Sequence, residues 1–450
     1  MTVRAFSAPG KALLVGGYLV LDPQYESYVV ALSSRMHSIV EFTKSDQLKV
    51  KVISSQFNND TWEYTLFENK LGNLIPSEIN GLKNPFVEKA ILNVLNFFNK
   101  EKNIVKYHIT IKIFSDPGFH SEEETTIIDN GSKKFNFHKK SITKVPKTGL
   151  GSSACLVTVL TSALVSVFLK ESFDVKDEKI LLLIYNLAQV AHCQAQGKVG
   201  SGFDVGAATF GSILYQRFSA ELINSLPSID DEKNNYIEAL VELVQNTDWK
   251  FTHDRIHLPK GLRLIMGDVN TGSETTKLVA KVKSWYNENM PESLKVYQEI
   301  NQGNCDFINS LSELNKISEK DGIISEEYKS ILKEIDNGEI KNEILVKIIK
   351  AVLQIRSNFR RISKEGLVDI EPTVQTELLD NVIKQKGVLT AMIPGAGGYD
   401  AISIIATEDC KIKESNDPVF KDVTFLDLKQ EDFGLLEENA SDYKNLVSNI

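Results

Sequence analysis

Apolar positions fall into short alternating runs and longer helical runs, grouped in mixed blocks along the chain. Over the first 60 residues the pattern predicts strands. Residues 17–22 and 28–32 are short, β-branched or aromatic, and bounded by Gly, Pro and Asp. Residues 105–114 alternate, with Tyr107, Ile109, Ile111 and Ile113 on one face, which predicts a half-buried strand. Residues 115–140 turn polar and charged and read as an exposed insertion. Two helices follow: residues 152–170, and residues 179–196, where Leu182, Leu183, Leu187, Val190 and Ala191 repeat and Gly197 stands ready to end the helix. Residues 212–218 predict another strand. Residues 226–256 are acidic and irregular, so a division into an N-terminal half (1–225) and a C-terminal half (226–450) is expected there. Beyond it come a strand at 261–269, a helix at 273–289 and more helices between about 292 and 364. Two apolar strands, 387–393 and 400–406, are separated by a glycine-rich connection, and 423–428 is a last strand. With no regular βαβ rhythm, the fold class expected is α+β rather than doubly wound.

Composition narrows the function. A length of 450 residues suits two to four domains at roughly 100–200 residues each. Hydrophobic residues at 42% exclude a wholly disordered chain. With 51 Lys and Arg against 60 Asp and Glu, the net charge is −9. Nucleic acid and anionic membrane both want a basic surface, so neither is an expected partner. The longest apolar run, 154–169, is interrupted by Thr158, Thr161, Ser162 and Ser166 and is shorter than the roughly 20 residues a bilayer needs. At the N-terminus, Pro9-Gly10-Lys11 and Asp22-Pro23 stand where a signal peptide wants its apolar region and cleavage site. Cys155, Cys193, Cys305 and Cys410 are far apart, which suggests neither a zinc site nor a disulfide framework. A cytoplasmic protein acting on small molecules is the expectation.

Three glycine-rich places could meet a phosphate. The strongest is Pro146–Ala154, directly before a helix. Gly149 and Gly151 allow a tight turn and close approach to a ligand. The first-turn N–H groups of the helix then favour an anion, and Ser152 and Ser153 add hydroxyls for a phosphate or a metal. A capped helix after a glycine turn accounts for the same letters. The segment also spells G-x-G-x-x-A with Asp174 about 20 residues on, yet Pro146 and Lys147 precede it where the dinucleotide fingerprint needs a buried strand. No Lys follows the second Gly, so the common P-loop does not fit either. The second place is Ala8–Ala12, where Lys11 follows a Pro-Gly turn; a solvated lysine is the plain alternative. The third is Pro394–Asp400, either a loose hairpin or a loop that something approaches closely. Asp204 follows the Gly-rich stretch 197–202 and is either a helix cap or a catalytic carboxylate. His192-Cys193 could suggest a thiol nucleophile, but their helical context predicts buried packing.

In this order, the three places resemble the motifs of the GHMP kinase superfamily: Ala8–Lys11 the first, Gly149–Ala154 the nucleotide loop, Pro394–Asp400 the third. Ser7–Asp22, Lys83–Phe86, Val145–Ala154, Ala191–Asp204 and Pro394–Ile402 are similar to the fungal phosphomevalonate kinase family within it. Mevalonate kinases usually carry Gly-Glu-His where Gly16-Gly17-Tyr18 stands here. The resemblance implies a GHMP kinase fold, with an N-terminal half like a ribosomal-protein S5 domain and a ferredoxin-like C-terminal half. It implies transfer of phosphate from ATP to 5-phosphomevalonate in the mevalonate route to isoprenoids and sterols. It implies that Lys147, Thr148, Gly149, Leu150, Gly151, Ser152, Ser153 and Ala154 contact ATP. Lys11 and Asp204 would be the catalytic pair. Lys11, Tyr18, Lys198, Ser201, Gly395, Ala396, Gly397, Gly398 and Asp400 would line the acceptor side. Mg²⁺ would sit on Ser153, since Cys193 replaces a Glu that binds it in mevalonate kinases. Another GHMP kinase with a hydroxyl acceptor, and a non-catalytic ATP or metabolite binder, stay open beside it. So does the choice between monomer and homodimer.

The acceptor on this reading is itself an anion. Two unit charges 4 Å apart repel by about 4 kcal/mol at an effective dielectric of 20. Lys11, Lys147, Lys198 and the helix N-terminus are candidates to offset that, and Arg360-Arg361 could clamp the acceptor phosphate. A solvated helix face is the alternative for the arginine pair.

Overall fold

Two long antiparallel strands, β1 (Thr2–Val15) and β2 (Ser27–Lys44), organise the first half of the computed structural model. The model describes residues 2–121, 124–269, 275–320, 323–412, 420–421, 423–426, 428–444 and 446. The β1–β2 register slips between Pro9 and Gly10. Pro9 has no N–H to give the ladder, and a Cβ on Gly10 would lie 3.2 Å from both the Leu150 carbonyl and the Phe119 ring. The slip re-aims the next residue, Lys11.

The chain continues through β3 (Lys49–Ser54), β4 (Asp60–Glu68), β5 (Leu74–Glu78), α1 (Pro85–Phe98) and β6 (Tyr107–Ser115). A hairpin of β7 (Thr125–Asp129) and β8 (Lys134–His138) leads to α2 (Ser152–Leu169), α3 (Glu178–Gln196), α4 (Phe203–Phe210) and β9 (Ile213–Gln216). Short helices α5 (Glu221–Asn224) and α6 (Tyr236–Val241) precede β10 (Thr252–Arg255). The large sheet runs β10-β9-β2-β6-β3-β4-β5, with β1 paired to β2. Helix α2 is apolar on every side because it is the core helix, buried from Ala154 to Val167. That burial accounts for a run whose length and composition alone would suit a membrane.

In the second half, β11 (Leu262–Asp268) is followed by α7 (Thr275–Glu288), α8 (Glu292–Ser318), two-residue strands β12 (Glu319–Lys320) and β13 (Ile323–Ile324), α9 (Glu326–Asn337), α10 (Glu343–Glu365) and α11 (Thr373–Ile383). Strands β14 (Val388–Met392), β15 (Ala401–Thr407) and β16 (Thr424–Leu426) complete an antiparallel sheet in the order β14-β15-β11-β16. Alternate residues of β11 serve two clusters. Leu262, Leu264 and Met266 enter the main core, while Ile265 packs with Leu378, Leu379 and Val382 of α11. Finally, β17 (Gln430–Glu431) pairs with β2 and β18 (Leu436–Glu438) with β1, returning the chain to the first sheet.

Three expectations change. Residues 17–22 form no strand: Gly16 and Tyr18 have φ of 105° and 63°, and residues 19–21 make a 3₁₀ turn. The 115–140 segment is not simply exposed, because Phe119, His120, Phe135 and His138 are buried, with Phe135 stacked on Phe114. Residues 226–256 are ordered against the first half. Tyr236 donates to Asn93 Oδ1 at 2.6 Å, Leu240, Leu243 and Trp249 are buried, and β10 extends the first sheet to Arg255. The expected division at residue 226 therefore falls inside the first sheet's territory. The helix expected from residue 273 begins among residues outside those described.

Candidate active site

The turn before α2 is tied to β1 by its middle residue. Leu150 is buried, and its carbonyl accepts the Lys11 N–H at 3.0 Å. Gly149 and Gly151 flank it with φ of 75° and 84°, a left-handed pair that side chains rarely adopt. A Cβ on Gly149 would meet nothing within 4 Å, so the space above it is open. On the other flank, Thr148 donates its N–H to the Phe119 carbonyl and its hydroxyl to that of Gly118. The buried part of the 115–140 segment thus shapes the turn. Gly151 caps α2 without any side-chain partner, which leaves the first-turn amides of Ser152 and Ser153 uncapped. Those amides and the dipole of an 18-residue helix favour an anion.

Lys11 lies across this turn. Its Nζ donates to the Gly149 carbonyl at 3.1 Å and stands 5.5 Å from the centre of the Phe203 ring. Burial pushes its pKa below the ordinary lysine value, and the charges of Asp204 and Asp400 oppose that push. A Cβ on Gly151 would sit 3.1 Å from Lys11 Cε and 3.8 Å from Asp204 Cβ, so this glycine lets all three groups meet.

Asp204 is placed by the loop before α4. Arg217 Nη2, Tyr215 OH and Gln189 Nε2 donate to the carbonyls of Gly200, Ser201 and Gly202 at 2.8, 3.0 and 2.7 Å. Gly202, at φ 81°, would drive a Cβ within 2.9 Å of Gln189, Tyr215 and Phe218. Asp204 follows in the first turn of α4, and its Oδ1 accepts the Val205 N–H.

The third glycine-rich loop closes from the second half. Gly395 donates its N–H to the Leu13 carbonyl at 3.2 Å, and Tyr18 OH donates to the Ala396 carbonyl at 2.6 Å. Gly17 has no room for a side chain, since its Cβ would fall 2.4 Å from the Gly395 oxygen. Behind the loop, Gly398 donates to the Ile370 carbonyl at 2.8 Å. Next to Ile370, buried Glu371 accepts from Arg356 Nη2 at 2.8 Å and Arg360 Nη1 at 2.9 Å, and Arg356 also reaches Asp380.

A cavity of about 620 Å³ lies between these parts. Lys11, Tyr18, Thr148, Gly149, Leu150, Gly151, Lys198, Ser201, Asp204, Gly395, Ala396 and Asp400 line it. Gly397, Gly398, Ser152 and Ser153 do not; the two glycines turn the loop against Ile370, and the two serines open α2. Lys147 lies outside, bridged by its backbone to His120, and Ala154 is buried beneath the turn. Neither Arg360 nor Arg361 lines the cavity: Arg361, paired with exposed Glu365, fits the solvated-face alternative, while Arg360 is held by buried Glu371. Sequence reasoning missed Thr275, Thr276 and Val279 of α7, which form a wall. Lys198 Nζ donates to Thr276 Oγ1 at 3.1 Å across that wall.

His192 and Cys193 part ways. Cys193 is packing, and burial pushes its thiol up to about 11, too high for a nucleophile. His192 is buried too, yet its Nε2 lies 3.1 Å from Ser153 Oγ and 3.9 Å from Asp204 Oδ2. The signal was available: His192 and Gln196 share a face of α3 at i, i+4, and Gln196 Nε2 lies 3.3 Å from His192 Nε2. Ser153 and Asp204, both within reach of one imidazole nitrogen, offer the hard oxygen donors Mg²⁺ prefers. No cluster of three His, Cys, Asp or Glu side chains among the described residues could hold an ion. An ion that arrives on a polyphosphate and needs only two protein ligands fits that set.

Residues 122–212 match the GHMP kinases N terminal domain family. The phosphomevalonate kinase of Candida albicans is 40% identical over 453 residues, covering 98% of this chain and 100% of its own. A phosphomevalonate kinase of Gibberella zeae is 33% identical, covering 91% of this chain and 89% of its own. Among solved structures, the Lin0012 protein of Listeria innocua has a TM-score of 0.63 at 17% identity, covering 97% of this chain and all of its own. The Streptococcus pneumoniae phosphomevalonate kinase, solved with phosphomevalonate and AMPPNP, has a TM-score of 0.60 at 15% identity over 96% of this chain and all of its own. Both share the fold.

Proposed function

Because this chain belongs to the phosphomevalonate kinase family of the GHMP kinases, we infer that it transfers the γ-phosphoryl group of ATP to the phosphate of (R)-5-phosphomevalonate. The products are ADP and 5-diphosphomevalonate, and the step belongs to the mevalonate route to isoprenoids and sterols. The observation that carries this reading is the convergence of Lys11, the 149–151 turn and Asp204 in one cavity.

In this reading, the uncapped amides of Ser152 and Ser153 and the backbone of Gly149–Gly151 grip the triphosphate. Lys11 stands where the transferred group passes and offsets the charge gathering on it. Lys198, Ser201, Tyr18 and Asp400 surround the acceptor. An acceptor phosphate oxygen forms the new bond to the γ-phosphorus as the bond to the β–γ bridging oxygen breaks. A phosphomonoester, with a second pKa of about 6, is largely ionised at neutral pH. No strong base is therefore required, and Asp204 orients Lys11 rather than removing a proton. Ser153 and Asp204 would hold Mg²⁺, which supplies charge neutralisation on the nucleotide's phosphates when bound. The absence of paired cysteines among the described residues supports a reducing compartment, which we take to be the cytoplasm.

Side-by-side ADP release with phosphomevalonate and mevalonate tests the reading. Turnover with phosphomevalonate alone is expected. Turnover with mevalonate alone would make the acceptor a hydroxyl. ATP binding with neither would make the chain a non-catalytic relative.

A further inference from the structure

The imidazole between Ser153 and Asp204 has no place in the transfer just described. His192 is 4% exposed, and the Phe86 ring lies 5.6 Å from its own. Three groups face a single atom, Nε2: Ser153 Oγ at 3.1 Å, Gln196 Nε2 at 3.3 Å and, further off, Asp204 Oδ2 at 3.9 Å. In the tautomer that leaves a lone pair on Nε2, that atom accepts from the Gln196 amide nitrogen. The serine hydroxyl, whose hydrogen rotates to suit, then donates to that same lone pair. Its hydrogen is then spent on His192. Both oxygen lone pairs are left for whatever approaches along the start of α2. A hydroxyl in this state receives a hard cation well and gives nothing to a phosphate oxygen.

We propose that His192 is a positioning residue that makes Ser153 a cation ligand, by taking the hydroxyl hydrogen that would otherwise turn toward the phosphates. The inference rests on the reading of this cavity as a Mg·ATP site and adds to it the residue that selects how Ser153 is used.

The test reads metal binding rather than turnover. Mn²⁺ serves as the spectroscopic probe, with AMPPNP and no acceptor, and its affinity is read from the loss of the free-ion electron paramagnetic resonance signal. His192→Ala should weaken Mn²⁺ binding to the nucleotide complex by about 10–100-fold, the usual cost of removing a group that orients a metal ligand. Binding of AMPPNP in EDTA should not change. His192→Gln, whose carbonyl oxygen can take the same hydrogen, should restore affinity to within a few-fold. In a Ser153→Ala background, His192→Ala should cost nothing more. Wild-type Mn²⁺ affinity in His192→Ala, an equal loss of metal-free nucleotide binding, or additive losses in the double variant would each overturn the proposal. If His192→Ala does not fold, a folded His192→Gln with the full loss overturns it equally, and one that keeps its affinity while His192→Phe loses it supports it. Failure of wild-type protein to bind Mn·AMPPNP would instead sink the reading of the cavity itself.

Discussion

Lys11 is a half-buried cation at the wall of the cavity, and its surroundings decide how it behaves. Its partners in the protein are the Gly149 carbonyl and the nearby carboxylates of Asp204 and Asp400. If charge stabilisation dominates the chemistry, Lys11→Met should lower turnover by about 10²–10³-fold, the size seen when one preorganised donor is removed. Asp204→Asn keeps the shape and removes one partly exposed charge. An amide oxygen remains to face the cation, so the loss should be smaller than that of Lys11→Met. Coupled ADP release on folded variants checks both, and a far larger loss for Asp204→Asn would return that residue to the role of base. Burial also sets a pH signature. Lysine is charged below its pKa, and the Lys11 pKa is lowered, so kcat/KM should fall on the alkaline side earlier than an ordinary lysine would dictate. Whatever activity Lys11→Arg retains should lack that limb, because a guanidinium stays protonated.

At the scale of elements, loops are held by what stands behind them. The third glycine-rich loop leans on Ile370, and the adjoining Glu371 is fully buried between Arg356, Arg360 and Thr376. Glu371→Ala leaves the buried Arg356 with Asp380 as its remaining carboxylate and should cost about 1.5–3 kcal/mol of stability, the worth of a hydrogen bond to a charged group, measured by denaturant unfolding. Arg356→Met with Glu371→Leu should recover most of it, since the charge goes with its partner. Legibility in the sequence followed the same division between near and far. Helices α2 and α3 announced themselves because their apolar runs and the stop at Gly197 are local signals. Residues 17–22 misled because Leu19, Val20 and Leu21 look like a strand, while what bends them is the approach of Gly395 from almost 380 positions away. The buried side of the 115–140 segment was hidden among its charges. Thr275 and Thr276 carry no local mark of function; only the packing of α7 over the cavity gives them one.

Across the whole molecule, the cavity takes walls from both sheets, and few bonds span it. Tyr18 OH to the Ala396 carbonyl is one, at a residue held in left-handed backbone beside Phe359. Tyr18→Phe removes that bond, worth about 1 kcal/mol, and should raise the acceptor KM about fivefold as the loop rests further open. The unfolding midpoint should barely move, and steady-state kinetics beside a thermal melt would separate the two effects. A second long-range feature lies at the opposite end of the chain, where Leu436–Glu438 zip onto Ser7–Ala5. Translation proceeds from the other terminus. Until those late residues leave the ribosome, the nascent protein carries β1 with one bare flank, open to pairing with a stranger. Damage or a bulky fusion near the carboxyl end would be felt in the strand that bears Lys11.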